Sequence, residues 1–249
     1  MDFRAALLDQ TRLFGVLIGE ADPETPVPTC PDWTMKQLFR HVGRGHRWAA
    51  QIIADRLQQA LDPRSVHDGK PPEDPDAAIA WLNDGAQLII DAVDRVGSDA
   101  RVWTFIGTRP AGWWIRRRLH EAMVHRADAA LALGRTYDLA PELAADGVSE
   151  WLERVAVEAK GHTPALDPGQ SMHLHATESE LGPTGEWTVV NDEEGMWWSH
   201  AHGEGSVALR GPAKELLLTL VRRRTTADAG VEVFGDTTVW DTWLARTPF

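Results

Sequence analysis

Residues 161–170 read GHTPALDPGQ, and the hydrophobic period of the sequence changes at this stretch. Before it, apolar residues recur at spacings of three and four, which is typical of amphipathic helices. After it, short segments rich in β-branched and aromatic residues are separated by Gly, Pro and Asp, which is typical of strands and turns. The sequence therefore predicts an α+β protein, with a helical domain over residues 1–160 and a small domain of mixed helix and sheet over residues 170–249.

Helix signals divide the first domain into five segments. Thr34 is suited to be an N-cap with Gln37 as its capping-box partner, and Gly134 is suited to end a helix. The predicted helices cover about residues 3–19, 34–58, 76–96, 110–133 and 141–159. In the second domain we expect strands near 172–177, 186–192, 195–202, 206–211 and 231–235, with one helix within 211–224.

Composition and charge exclude several classes of protein. The chain has 249 residues, 43% of them apolar, and a net charge of −12, and its basic residues cluster only at 116–118 and 222–224, so a nucleic-acid partner is disfavoured. No apolar run approaches the roughly 20 residues that a membrane span requires. The start, MDFRAALLDQTRLFG, lacks the features of a signal peptide, and we expect a cytoplasmic protein.

Cys30 is the single cysteine, which excludes an intrachain disulfide and a zinc site built from several cysteines. It has no basic neighbour in the sequence, so we expect a small buried residue rather than a nucleophile. Any metal chemistry must therefore use histidines and carboxylates.

The segment LHEAMVH, residues 119–125, offers a candidate pair of metal ligands. Glu121 and His125 are four apart and share one helix face, whereas His120 points away from both. In the second helix His41 and His46 are five apart, so at most one of them faces a common site, and the helical wheel does not choose between them.

The same helix face has a simpler interpretation. Glu121 and His125 share their sector with Arg117, Arg118 and Asp128, which by periodicity alone is typical of a solvated surface. Spacing alone therefore does not establish a metal site.

Two further histidine pairs, His173 with His175 and His200 with His202, lie two apart on predicted strands, so each pair shares a face of the sheet. No carboxylate ligand is evident near them in the sequence. We therefore expect ordinary strand histidines rather than a second metal site.

Several motifs together resemble one family. The segments TCPDWTMKQLFRHVGRGHRWAA (29–50) and RPAGWWIRRRLHEAMVHRADA (109–129) resemble the N-terminal domain of mycothiol-dependent maleylpyruvate isomerases and their relatives in the DinB-like metalloenzyme superfamily. The segments MHLHATE, SVALRGPAKELLLTL and VRRR look like the C-terminal domain of the same family. The resemblance covers almost the whole chain, and it rests on the order and separation of motifs that are individually loose.

The resemblance implies a DinB-like helical bundle that holds a divalent metal, usually zinc, through His41, Glu121 and His125. It selects His41 over His46, and it reinterprets the polar face of the fourth helix as the lining of a cavity. Three such ligands leave a fourth zinc position open, which is a catalytic arrangement. Mycothiol bound there would lose its proton and become a metal-bound thiolate nucleophile.

Guanidinium groups suit a dicarboxylate substrate such as maleylpyruvate. Arg118 lies on the metal side of its helix, and Arg223 falls where the family often has a Gly-Arg pair, although Arg222 here replaces the small residue. The resemblance thus implies substrate-binding roles for Arg118 and Arg223. A solvated basic cluster at a helix C-terminus explains residues 222–224 equally well.

The leading hypothesis is a zinc-dependent enzyme whose partners are a small-molecule thiol, mycothiol, and an electrophile, with maleylpyruvate isomerase-like chemistry. One alternative is a mycothiol S-transferase for xenobiotic electrophiles. Another is a non-catalytic small-molecule-binding protein that uses a Trp-rich cavity.

Overall fold

The computed structural model describes residues 1–159 and 162–248, and the chain divides into two compact units, Met1–Tyr137 and Asp138–Phe249. The first unit is helical apart from one short strand pair, and the second contains a five-stranded sheet. The predicted α+β class, with a helical bundle followed by a small sheet domain, is confirmed.

The first unit contains four long helices: α1 (Phe3–Gly19), α2 (Met35–Ala54), α3 (Pro75–Val96) and α4 (Trp113–Ala132). A 3-10 turn (Pro63–Ser65) and an antiparallel pair of two-residue strands, β1 (Arg101–Val102) and β2 (Arg109–Pro110), complete it. The predicted capping box is present: Thr34 caps α2 while its own backbone N–H donates to Gln37 at 2.6 Å. Asp2 and Asp74 cap α1 and α3 in the same way, by accepting from backbone N–H groups.

The bundle core lies between α1, α2 and α3. Phe14, Leu38, Val42 and Leu82 are fully buried there, which removes apolar surface from water and supplies the main driving force for folding. Gly43 permits the closest approach, because a Cβ at this position would overlap the indole ring of Trp81. Helix α2 thereby packs closely against α3.

The second unit begins with α5 (Pro141–Glu158). It continues through β3 (Ser171–Ala176), a 3-10 segment (Ser179–Gly185), β4 (Glu186–Asp192), β5 (Gly195–Ser199), β6 (Val207–Gly211), α6 (Ala213–Leu220), α7 (Thr226–Ala229), β7 (Glu232–Gly235) and α8 (Thr237–Arg246). The strand order is β5-β4-β3-β6-β7. Strands β3 and β6 are parallel, and the other neighbours are antiparallel.

Helix α5 belongs to the second unit, whereas the sequence-based prediction placed it in the first domain. Its packing places it in the second unit, where the buried Trp187 of β4 donates through Nε1 to the hydroxyl of Ser149 at 2.9 Å. The division between Tyr137 and Asp138 therefore differs from the boundary expected at 161–170, whose first residue, Gly161, lies outside the described residues.

Several described parts of the fold had no counterpart in the sequence-based prediction, namely the strand pair β1 and β2, the two 3-10 segments, and the helices α7 and α8. Across the described part of the chain, no helix combines the length and the apolarity needed to cross a membrane.

Candidate metal centre

Helices α2 and α4 pack against each other and bring three ligand-type side chains together. Glu121 and His125 lie one turn apart on α4, so their side chains project from the same face. Oε2 of Glu121 lies 3.6 Å from Nε2 of His41 and 3.5 Å from Nε2 of His125. The three atoms all lie within 4.8 Å of one another.

This donor set fits a zinc-type ion. Zinc binds imidazole nitrogen and carboxylate oxygen at about 2.0–2.2 Å, so that ligand atoms around a tetrahedral ion are about 3.3 Å apart. The two nitrogen-to-oxygen distances of 3.5 and 3.6 Å are close to that spacing. Two imidazoles and one carboxylate can therefore converge on one ion with small side-chain adjustments.

Asp128 orients His125. Nδ1 of His125 donates to Oδ2 of Asp128 at 2.8 Å, and because a carboxylate only accepts, this bond places the ring proton on Nδ1. The lone pair on Nε2 is then directed toward Glu121. Asp128 is fully buried and also accepts from the hydroxyl of Thr29 at 2.7 Å and from the thiol of Cys30 at 3.4 Å.

Sequence spacing gives Asp128 no role beyond its place on the polar face of α4. Its spacing of three from His125 is the signal that could have found it. Cys30 was expected to be buried, but it is only half-buried. Cys30, His125 and Asp128 form another metal-type cluster, which shares His125 with the first.

The interpretation of this face of α4 as solvated is wrong. Arg117, Arg118 and Asp128 are all buried. Arg117 forms an ion pair with Oε1 of Glu121, and Nη1 of Arg118 lies 3.6 Å from Oε2 of the same carboxylate. The two oxygens of Glu121 thus differ, since one faces Arg117 and the other faces both histidines.

His46 lies apart from this cluster. Nδ1 of His46 accepts from Nε of Arg118 at 3.3 Å, and its Nε2 then donates to the hydroxyl of Thr11 at 3.2 Å. Nη2 of Arg118 donates to the carbonyl of Val42 at 3.2 Å. The structure therefore places His41, and not His46, beside Glu121.

Burial and neighbouring positive charge keep these groups uncharged or less basic. Although the His41 side chain is partly exposed, the protein groups packed around its ring desolvate it, and the positive charge of Arg118 adds to this effect, so the pKa of His41 is lowered below its usual range. Burial lowers the pKa of His46 well below its usual range. Burial, and then the charge of Arg117, lowers the pKa of Arg118 to about 9. A neutral imidazole at His41 is the form that binds a metal.

The cluster is open on the side of His41. The His41 side chain is 42% exposed, whereas those of Glu121 and His125 are 16% and 5% exposed. The indole of Trp33 covers part of this side, with its ring centre 4.8 Å from that of His41. A small molecule can therefore approach past His41 and Trp33.

Arg223 lies in the second unit, just after α6. Its guanidinium is buried, and Nη1 donates to the carbonyl of Val221 at 2.8 Å. Together with Arg222 and Arg224 it lines a surface pocket of about 480 Å³. The description of residues 222–224 as a solvated cluster therefore holds for the exposed Arg222 but not for Arg223.

A helical bundle that gathers two histidines and a glutamate, followed by a mixed sheet domain, defines a class of two-domain α+β proteins with a candidate metal centre. The model of the mycothiol maleylpyruvate isomerase N-terminal domain matches residues 4–130, and the model of the corresponding C-terminal domain matches residues 142–242. The chain belongs to the mycothiol maleylpyruvate isomerase family, and the resemblance stated from the sequence is confirmed.

Individual relatives are distant. A crystal structure of a mycothiol-dependent maleylpyruvate isomerase is 15% identical and superposes with a TM-score of 0.61 over 90% of this chain and 89% of that one. A structure of a histidine-to-alanine mutant gives a TM-score of 0.62 at 15% identity over 93% and 91%. Uncharacterized proteins from two strains of Mycobacterium tuberculosis are 27% identical over 141 residues, which is 55% of this chain and 68% of theirs.

Proposed function

We propose that this protein is a zinc-dependent enzyme that uses mycothiol as a cosubstrate and isomerises maleylpyruvate or a closely related electrophile. The observation that carries the proposal is the position of Oε2 of Glu121, at 3.6 and 3.5 Å from Nε2 of His41 and of His125. Membership of the family, and the names of the two isomerase structures that share the fold, support the thiol and the reaction.

Each residue around the cluster has a distinct part in this proposal. His41, Glu121 and His125 would hold the ion, and Asp128 keeps the Nε2 lone pair of His125 directed at it. Arg117 pairs with the other oxygen of Glu121, which places a positive charge beside this mostly buried carboxylate.

A zinc ion held by His41, Glu121 and His125 would lower the pKa of a thiol at its remaining position and would so supply a thiolate at neutral pH. The open side past His41 admits the thiol, since this ligand is the most exposed of the three. Addition of the thiol to an activated double bond, rotation about the resulting single bond and elimination of the thiol yield an isomer.

The carboxylates of the substrate need positive partners, and Arg118 and Arg223 stay the predicted ones. The nitrogens of Arg118 already contact His46, Val42 and Glu121, so these contacts favour a positioning role for its guanidinium. Arg223 lines a pocket with Arg222 and Arg224, whose guanidinium groups suit a carboxylate, although Asp228 and Asp241 line the same pocket.

The internal contacts of Arg118 favour a second candidate function, a mycothiol S-transferase for electrophiles that carry no carboxylate. Such an enzyme would share the metal centre and release the thiol adduct instead of eliminating the thiol. A non-catalytic binding protein with a Trp-rich cavity is less well supported, because Trp48, Trp103 and Trp114 pack against one another. The ring centre of Trp48 lies 5.6 Å from that of Trp103 and 5.3 Å from that of Trp114.

Metal analysis of the full chain, purified without chelator, tests the metal centre. We expect His41→Ala and His125→Ala each to lower the bound zinc by about one equivalent per chain. His67→Ala is the control, since His67 is exposed and outside the cluster. Unchanged zinc content in both cluster variants would rule out the proposed ligand set.

Turnover distinguishes the reactions. Holoprotein with mycothiol is assayed against maleylpyruvate and against a bimane-type electrophile. Conversion of maleylpyruvate supports the isomerase, and consumption of thiol with the bimane alone supports the transferase. Zinc-loaded protein that converts neither substrate contradicts both enzyme proposals and favours the binding protein.

A further inference from the structure

We propose a second metal site in the sheet domain, formed by His173, Glu186 and His202, that takes a divalent transition metal of the zinc class. It is independent of the proposed enzymatic function, because its ligands share no residue with the cluster of His41, Glu121 and His125. The expectation of ordinary strand histidines rested on the absence of a carboxylate near them in the sequence. That expectation is wrong about the carboxylate, because the fold supplies Glu186.

Strand pairing brings the carboxylate to the histidines. His173 and His175 lie two apart on β3, so their side chains share one face of the sheet. Glu186 begins β4 and is the direct antiparallel partner of His175. Residues that are directly opposite in antiparallel strands project on the same side, and Glu186 therefore faces both histidines.

The ligand-type atoms converge on one carboxylate oxygen. Oε2 of Glu186 lies 3.1 Å from Nε2 of His173 and 2.7 Å from Nδ1 of His202. Ligand atoms around a tetrahedral zinc ion are about 3.3 Å apart, so a shift of less than about 1 Å accommodates an ion. Each nitrogen now donates to the carboxylate, and the other ring tautomer turns the same nitrogen into a metal ligand.

The loop after β5 contacts β4 and β3 on either side of His202. The hydroxyl of Thr188 on β4 donates to the carbonyl of Ala201 at 2.8 Å. Nearby, a Cβ at Gly205 would lie 2.8 Å from the backbone nitrogen of His173, so only glycine allows this approach to β3. These contacts hold the backbone on either side of His202 close to β4 and β3.

Two imidazoles and one carboxylate form a ligand set that binds zinc, copper and nickel more readily than magnesium or calcium. The ring of His175 lies nearby, centred 6.0 Å from that of His173 and 6.5 Å from that of His202, but His175 is not in the group of three whose ligand atoms lie within 4.8 Å of one another. The His202 side chain is 77% exposed and that of His173 is 7% exposed, so an ion enters from the loop side. Bound metal would fasten the loop to β3 and β4.

Titration of the stripped full chain with Zn²⁺ alone tests the site. We expect the parent protein to bind one more equivalent of Zn²⁺ than the His202→Ala variant. Any zinc affinity that the variant keeps at this site should be reduced by more than the roughly 10–100-fold caused by removing an outer partner of a ligand. His202→Ala should fold, because the side chain is largely exposed. The same titration with Cu²⁺ and Ni²⁺ ranks the metals.

A double variant that carries both His41→Ala and His125→Ala distinguishes the two metal centres. It should still bind the one equivalent of Zn²⁺ that the His202→Ala variant loses. If this double variant does not fold, the difference in zinc stoichiometry and affinity between the parent and the His202→Ala variant is sufficient to test the second site. His67→Ala is again the control and should titrate like the parent. Equal stoichiometry and affinity in His202→Ala and the parent would overturn the second site, whatever happens at the first.

Amide hydrogen exchange reports whether bound Zn²⁺ orders the loop that carries His202, which zinc content does not show. We expect Zn²⁺ to slow exchange in residues 200–206 of the parent and of the first-centre double variant, but not in His202→Ala. Slowing of equal size in His202→Ala would show that the ion acts elsewhere and would contradict the proposal.

Discussion

Asp128 shows how a single residue outside the ligand set can control the candidate metal centre. It is fully buried, and it holds His125 in the tautomer whose Nε2 carries a lone pair suited to a metal. Thr29 and Cys30 donate to the same carboxylate, so its position is fixed from the loop that precedes α2.

Replacing Asp128 with Asn should weaken zinc binding about 10–100-fold, as loss of an outer partner typically does. The amide keeps the shape but can present N–H to Nδ1 of His125, which favours the wrong tautomer. Affinity is measured by competition with a chromophoric chelator. Asp9→Asn, an exposed change beside Arg12, is the control. Equal affinity in the Asp128→Asn variant and the parent would contradict the orienting role.

Sequence spacing anticipated part of this geometry. It placed Glu121 and His125 on one face, because residues four apart differ by only ~40° around a helix. It could not choose between His41 and His46, since that choice depends on which face of α2 meets α4. The structure places His46 against Thr11 and Arg118 instead.

At the scale of elements, the contact between α2 and α4 depends on a missing side chain. Gly45 lies on α2 directly against Arg118 of α4, and a Cβ there would be 2.7 Å from the central carbon of the guanidinium. Since the contacts of Arg118 with His46, Val42 and Glu121 fix its position, the guanidinium cannot easily move aside.

Gly45→Ala should therefore destabilise the protein, although alanine favours helices by about 0.5–1 kcal/mol relative to glycine. Overpacking a close contact costs about 1–3 kcal/mol, so we expect a net loss of about 1–2 kcal/mol in urea denaturation. Gly19→Ala is the matched control, because nothing lies within 4 Å of its added Cβ, and it should be neutral or slightly stabilising. A Gly45→Ala variant as stable as the parent would show that the helices can separate without cost.

The elements found from the sequence are those with long, regular periods. Helices α1 and α3 match their predicted ranges to within one residue, because caps and apolar spacing agree there. Strands β1 and β2 have two residues each, too few to show a period. Helix α8 contains Thr, Val and Trp, which have modest helix propensity, and it forms because Val239, Trp240 and Trp243 are buried.

Burial of Trp243 should stabilise helix α8 more than the helix propensity of its residues does. Trp243 is fully buried, so Trp243→Ala should cost about 3–5 kcal/mol of stability, measured by chemical denaturation. Trp197→Ala, at a strand residue that is 41% exposed, should cost much less. Similar losses in the two variants would mean that burial of α8 does not stabilise the second unit.

For the whole molecule, the charge and the chemistry of the candidate centre are in tension. The chain carries a net charge of −12, which at long range disfavours approach of a dicarboxylate such as maleylpyruvate. Arg118 on α4 provides local positive charge beside the cluster, whereas the charge of Arg117 is paired with Glu121. Buried charges are screened less by salt than exposed ones, so this local field persists at physiological ionic strength.

The division of the chain also has a consequence for its folding. Periodicity could not assign α5 to a domain, because a helix shows the same pattern whether it packs in a bundle or on a sheet. Its packing against α6 and the bond from Trp187 to Ser149 place it in the second unit. A chain cut before α5 and a chain cut after it should therefore behave differently.

We expect residues 138–249 expressed alone to unfold cooperatively, and residues 162–249 to lose that cooperativity. Without α5, the buried indole of Trp187 loses its acceptor, Ser149, and the apolar cover formed by the buried Val148, Trp151 and Leu152 of that helix. An uncovered apolar face of this kind does not support a stable small domain. Near-ultraviolet circular dichroism and urea denaturation of the two chains, with 1–137 as the complementary piece, measure the difference. Cooperative unfolding of residues 162–249 would instead support the boundary drawn from the change of hydrophobic period at 161–170.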